Sequence, residues 1–490
     1  MKKHPFFLLL LPVFFVFHGF VENYTFISLT DCLLLLGIYL AGSGIVYLLS
    51  RLLLKQAMKA ALFAGFIMAF FFFFGALHDF LRKNDLFLHK YSVVLPFFAV
   101  VTLGLFFYLK RKGAGSRLPF FLNALLLLYI GIDGGSLLWK ALHKSPASLT
   151  GASYASTPMV RCDSCPRPDI YLLLFDDYSG NTTLKEVFNY DNSSLDSFLE
   201  KEGFRVQKNS HSNYNFTMGS MASILNFGYL DNLKDIVHPG DYKDLLEAIA
   251  HNRVVNFLYT QGYSVINYSP FDLPGQPSVR DNPLLPAKIR LITNRTLLNY
   301  VARDLQTWVD LHLKDSTLLA GQRIAAFDRE NAQVLAQTKA ISGRRSDRPR
   351  FVYAHLLLPH FPFFYDSLLR RRSSADVAAH FDEDQPRYYL DYIPYTNACA
   401  EDLITTIKKN SGGKAVIIFM SDHGFRYSPN GTPLPWSYNN QNAVYFPDRD
   451  YGQLYDSMSN VNQFRVILNK LFRQGLPLLK DSALFLRNKE

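Results

Sequence analysis

Four short stretches carry the residues whose types could do chemistry together. Ser421-Asp-His-Gly424 closes the apolar run 414–420 and offers a divalent cation one hard carboxylate oxygen and one imidazole nitrogen from adjacent positions. Residues 168–178 repeat the theme, an apolar run ending in Asp176 and Asp177. Neighbouring side chains of a strand point to opposite faces, so Asp176 is expected to meet a shared ion. Asp177 could join it only where the strand has already broken into a loop. Thr217 stands ahead of a short helical stretch, 218–225. Its hydroxyl could be a plain helix cap, or a nucleophile whose pKa falls under the helix's positive end and a bound cation. His360, between Pro359 and Pro362, ends the apolar run 351–358. There it could donate to an oxyanion, protonate a leaving group, or simply pack in a rigid turn. His355, inside that run, reads as a satisfied core histidine.

These groups need a scaffold that brings them together. Short apolar runs rich in β-branched residues read as buried parallel strands, and ligands of open α/β sheets gather at the strands' carboxyl ends. Residues 242–261 have helical spacing and precede a strand-like 263–267, while 297–313 and 322–340 read as amphipathic helices. A late strand is expected within 439–447 and a closing helix over 461–472. Arg344, Arg345, Arg348 and Arg350 read as a solvated basic loop, and Arg370 to Arg372 as surface that could also touch anionic head groups.

Composition divides the chain. Apolar runs, with much of the content of 42 Phe, fill roughly the first 140 of 490 residues. Five segments, 5–20, 33–49, 60–77, 93–109 and 118–138, are read as membrane helices. Lys2 and Lys3, Arg51 with Lys55 and Lys59, and Lys110 to Lys112 with Arg117 fall on one side, which the positive-inside rule makes cytoplasmic. An odd number of crossings then puts the remainder outside. The expected organisation is a transmembrane region over 1–140, a Ser/Pro/Thr-rich linker over 141–167 and an extracytoplasmic catalytic domain over 168–490. The net charge of +10 lies largely beside the spans, and no Lys/Arg stripe interleaved with aromatics marks a nucleic-acid partner. Cys162 and Cys165 are expected to be a local disulfide or an unpaired structural pair rather than a metal knuckle. Asp133 and Lys140, near the end of the fifth segment, read as interfacial.

In this order, Asp176, then Thr217 with Ser220, then Pro359-His360-x-Pro362, then Ser421-Asp-His-Gly424, the motifs resemble the sulfatase-like branch of the alkaline phosphatase superfamily. Closest in architecture are the five-span bacterial lipoteichoic acid synthases and phosphoethanolamine transferases. The resemblance implies an α/β/α domain with a mostly parallel sheet. It implies one divalent ion on Asp176, Thr217, Asp422 and His423, with Asp177 in reserve. Thr217 would carry the covalent intermediate, and His360 would contact substrate. Mixed oxygen and nitrogen donors suit Zn or Mn, and Zn is preferred over Mn or Mg.

The departures are specific. Thr217, Gly219 and Met221 replace the Cys-x-Pro-x-Arg pattern of formylglycine sulfatases, and the first carboxylate is Asp where the transferases carry Glu. No His follows Asp-His-Gly between Phe425 and Asp448, which leaves Arg426 as the expected substitute in substrate binding. The expected function is transfer of a phosphoethanolamine- or phosphoglycerol-type group from a membrane lipid donor to an envelope glycan or lipid acceptor. The rivals are a hydrolase of phosphate or sulfate esters and an inactive binding module for envelope assembly.

Overall fold

The computed structural model describes residues 4–24, 27–84, 87–111, 117–142, 158–230, 236–237, 239–278, 287–312, 316–379, 385–426 and 435–488. Most of the expected linker, and Lys112 of the basic loop, lie outside these. The chain divides into two units, Met1–Ser145 with Asp281–Lys314, and Pro146–Arg280 with Asp315–Glu490.

The first unit is helical: α1 Phe7–Glu22, α2 Leu29–Leu54, α3 Ala57–Lys83, α4 Tyr91–Arg111 and α5 Arg117–Leu142. Helices α2 to α5 are each long and apolar enough to cross a membrane. Helix α1 has 16 residues, which at 1.5 Å per residue spans about 24 Å of a roughly 30 Å hydrocarbon core. The five expected segments are therefore four helices of crossing length and one shorter apolar helix. Asp133 of α5 is buried, with the His18 ring of α1 at 3.1 Å from its carboxylate.

The helix Leu297–His312, anticipated from its spacing, packs within this first unit. The Gly75 N–H donates to the Arg295 carbonyl at 2.8 Å, and a Cβ on Gly75 would come equally close to that oxygen. Tyr300 donates to Asp79 and Tyr91 to Asp304, each at 2.6 Å.

The second unit is built on a six-stranded sheet in the order β2-β7-β6-β1-β5-β4. The strands are β1 Ile170–Phe175, β2 Arg205–Val206, β4 Ser264–Tyr268, β5 Arg350–Leu356, β6 Val416–Met420 and β7 Asn442–Tyr445, while β3 Ile236–Val237 and β8 Arg487–Asn488 pair separately. β6, β1, β5 and β4 are parallel, and β7 runs antiparallel to both β6 and β2. The central strands are buried throughout, as their continuous apolar runs require.

Alternation along these strands separates two cores. Leu172, Leu174, Tyr353, Ile418 and Met420 face a layer holding α6 Thr217–Asn226, α7 Arg253–Thr260 and α10 Gln463–Phe472. Leu173, Phe175, Ala354 and Phe419 face α8 Ser316–Ser342 and α9 Gln385–Ser411. This is a three-layer α/β/α domain. The stretch 242–261 is two helices, because the Asn252 side chain accepts from the Val255 N–H and starts α7 afresh. Cys162 and Cys165 form a disulfide.

Arg350 corrects the expectation of a wholly solvated basic loop. It is buried at the start of β5, where its Nε donates to Asp169 at 3.0 Å and its backbone N–H to the same carboxylate at 2.8 Å. A buried guanidinium is retained only where its donors are matched, and Asp169 ahead of β1 matches them. Arg372 is likewise held between Asp376 and Asp391, with its guanidinium over Tyr388.

Candidate active site

The parallel strands β1 and β6 lie side by side, so their carboxyl ends deliver Asp176 and Asp422 to one place. Each acid follows two residues after a side chain of the α6-facing core, Leu174 and Met420, which puts both on the face that α6 covers. His423 follows directly in the turn. One ligand atom from each of Asp176, Asp422 and His423 lies within 4.8 Å of the others, and all three residues are buried.

The His423 ring fixes the centre. Its Nδ1 lies 3.0 Å from the Gly424 carbonyl, which accepts its proton, and 3.3 Å from Asp177 Oδ1. Its Nε2 therefore faces Asp422 Oδ2 at 3.1 Å, Thr217 Oγ1 at 3.4 Å and Asp176 Oδ1 at 3.9 Å. Among the described residues nothing hydrogen-bonds Asp176 Oδ1 or Asp422 Oδ2, although both atoms are buried. Orphaned carboxylate oxygens facing an imidazole nitrogen and a hydroxyl are what a divalent cation would satisfy, so the residues present fit such an ion.

The electrostatics agree. Burial opposes ionisation of Asp176, but the hydrogen bond from His355 and the charges of His360, His355 and His423 outweigh it and hold the carboxyl far below its usual range. Asp422 is pushed up by burial and by the Asp176 charge opposite. Burial alone would lower His423, yet the Asp422 charge raises it, with Asp177 adding to the effect. Two buried carboxylates this close call for positive charge between them.

Thr217 is the first residue of α6, with Phe216 in extended conformation before it and no side-chain cap. The capping use of its hydroxyl is thus not taken up. The Ser220 hydroxyl, one turn on, donates to the Tyr214 carbonyl at 3.0 Å and serves the loop.

Asp177 stands at φ 67°, so the strand has indeed broken, yet its carboxylate sits beside the outer nitrogen of His423. Its backbone N–H donates to Asp422 Oδ1 at 3.2 Å. Arg426 Nε lies 3.9 Å from Asp177 Oδ1 at the edge of the cluster. His360 follows β5, its Nδ1 donating to the Phe361 carbonyl at 2.6 Å and its ring stacked near Phe327. Nε2 is left to face other groups.

The turn after β6 is braced. The Ser421 hydroxyl donates to the His423 carbonyl at 2.7 Å and accepts from the Tyr178 N–H at 2.9 Å. The amides of Asn440 and Asn460 donate to the Ser421 carbonyl at 2.5 and 3.1 Å. A Cβ on Gly424 would meet the Asn439 carbonyl oxygen at 2.4 Å, so only glycine lets the two backbones approach.

His355 is the satisfied core histidine expected of it: it is buried, the Tyr353 hydroxyl bonds its Nδ1 at 2.9 Å, and its Nε2 lies 3.5 Å from Asp176 Oδ2, which ties it to the cluster. The alternation of Tyr353 and His355, shared with Leu172 and Leu174 on the paired strand, was the available signal.

A family model described as Sulfatase matches residues 180–464. Among solved structures, the C-terminal periplasmic domain of EcEptC from Escherichia coli is 14% identical, with 68% of this chain and 93% of that chain covered and a TM-score of 0.40. The C-terminal periplasmic domain of phosphoethanolamine transferase EptC from Campylobacter jejuni is 13% identical, covering 63% and 91%, with a TM-score of 0.36. The phosphonate monoester hydrolase of Agrobacterium radiobacter is 12% identical, covering 62% and 74%, with a TM-score of 0.39. No curated protein sequence matches.

Proposed function

The chain belongs to the sulfatase family, within the alkaline phosphatase superfamily, and is an enzyme of that kind; from this premise we propose a membrane-anchored transferase of a phosphoethanolamine- or phosphoglycerol-type group. It would work on the outer side of a bacterial-type cytoplasmic membrane, taking the group from a lipid donor and passing it to an envelope glycan or lipid.

The observation that carries the reading is the Thr217 hydroxyl, uncapped at a helix start and 3.4 Å from His423 Nε2. A threonine cannot become a formylglycine hydrate, which favours direct nucleophilic substitution at phosphorus over that route to sulfate-ester hydrolysis.

Asp176, Thr217, Asp422 and His423 would hold the cation, and their mixed donors suit Zn ahead of Mn or Mg. When bound, it would supply Lewis acidity that lowers the Thr217 pKa and neutralises phosphoryl oxygens. Thr217 Oγ1 attacks phosphorus in line, forming the phosphothreonine as the bond to the lipid's glycerol oxygen breaks. His360, with Nδ1 tied to its own loop, presents Nε2 to protonate that leaving oxygen and then to take the proton of the incoming acceptor hydroxyl. The acceptor oxygen attacks the phosphothreonine and Thr217 leaves. Arg426 offers its guanidinium to the non-bridging oxygens, and Asp177 holds the His423 ring in the tautomer that turns Nε2 inward. The apolar helices keep the domain beside its lipid donor.

The test is mass spectrometry of the Thr217 peptide from full-length protein incubated with phospholipid. The wild type should gain a substituted phosphoryl mass on Thr217. Thr217→Ala should lose both adduct and transfer. An unmodified Thr217 together with unchanged turnover in Thr217→Ala would refute the nucleophile. Release of the group to water alone, with every acceptor supplied, would make the chain a hydrolase.

A further inference from the structure

Helices α1, α3, α4 and α5 line a cavity of about 750 Å³ within the first unit. Its wall is apolar almost throughout, built from Phe7 and Leu11 of α1, Gly65 and Ala69 of α3, Leu109 of α4 and Leu122 of α5, among others. The charged group in the lining is Arg117, the first residue of α5.

The lining residues gather toward one end of the helices: the start of α1 and α5, the first half of α3 and the last turns of α4. That end also carries Lys59 in the first turn of α3, and Lys110 and Arg111 in the last turn of α4. The first turns of α1, α3 and α5 contain no acidic residue to balance them. At the same end Asn123 of α5 ties down the start of α1: its amide donates to the His4 carbonyl at 3.0 Å and accepts from the Phe7 N–H at 2.5 Å.

The space is open on one side, so it is a recess that a guest can enter from the surface of the helices rather than a sealed interior void. The volume falls within the roughly 300–1,000 Å³ typical of small-molecule sites. Water is a poor guest, because the wall offers it few polar partners. Hydrocarbon fits the wall, and an anion fits the basic end.

We propose that this cavity binds a phospholipid with an anionic head group, its acyl chains between α1, α3, α4 and α5 and its phosphate at Arg117. The site is a lipid-binding one separate in kind from the Thr217 chemistry, and its test does not depend on the reaction assigned there.

The experiment uses the full chain, delipidated in neutral detergent and re-supplied with phosphatidylglycerol or phosphatidylcholine, with bound lipid read by native mass spectrometry. The wild type should retain phosphatidylglycerol in preference to phosphatidylcholine. Arg117→Gln, at an exposed position, should weaken phosphatidylglycerol binding about fivefold and that of phosphatidylcholine, whose phosphate charge is offset by its own ammonium, by clearly less. Leu122→Trp, which fills the cavity, should remove bound lipid of both kinds while a cooperative melting transition persists. Equal retention of the two lipids by the wild type would overturn the proposal. So would an equal loss of both in Arg117→Gln, or undiminished lipid in a folded Leu122→Trp.

Discussion

Two neighbouring strands end in consecutive polar residues and use them differently. After β1, Asp176 turns toward the cluster and Asp177 does not; after β6, Asp422 and His423 both do. The backbone makes the distinction. Asp177 adopts φ 67°, which swings its carboxylate behind the His423 ring, whereas the β6 turn is closed by Gly424 against the Asn439 carbonyl and presents both side chains to the same point. One pair thus places one side chain in the buried cluster and one behind it, and the other places both side chains in it.

That difference is open to attack by substitution. The largest effects should come from Asp176→Asn and Asp422→Asn, each lowering turnover on the order of 10³-fold with loss of bound metal, read by elemental analysis. Full metal and rate in Asp176→Asn would take β1 out of the centre and end the comparison. Chelation should come next. At free metal a hundredfold above Kd, the holoprotein should exceed the stripped one by about 2.7 kcal/mol in denaturant unfolding, and Asp422→Asn should not respond. Asp177→Asn should cost roughly 10- to 100-fold in metal affinity, as the loss of a group that orients a ligand does. An effect as large as that of Asp176→Asn would make Asp177 a ligand and the two strand ends alike. The smallest change is Gly424→Ala, expected to destabilise the fold by about 1–3 kcal/mol because the turn must open around the added carbon. Unaltered unfolding there would remove the steric reason for the β6 geometry.

The convergence of Asp176, Asp422 and His423 was legible because apolar runs ending in acids announce strand termini, and the inward position of Asp176 follows from alternation along β1. Thr217 was legible as a helix start, while its freedom from capping was not, since that depends on the path of Phe216. The burial of His355 was legible but its partner was not, because a histidine within an apolar run looks the same whichever group satisfies it, and Asp176 is 179 residues away. Arg350 was hidden by three neighbouring arginines, and Asp169, 181 residues earlier, decides its burial. The helix Leu297–His312 shows the same limit. Its spacing declares that one face is covered, but the covering residues, Asp79 among them, lie more than 200 positions upstream.

The adjacency of β1 and β6 also sets a timetable. Asp177 and Asp422 are 245 residues apart in the chain, yet the sheet places their strands shoulder to shoulder. A ribosome delivers the first of these segments long before the second, so the nascent domain spends most of its synthesis with the slot beside β1 unfilled. Any product ending before residue 416 lacks the strand that occupies that slot, and with it Asp422 and His423 of the buried cluster.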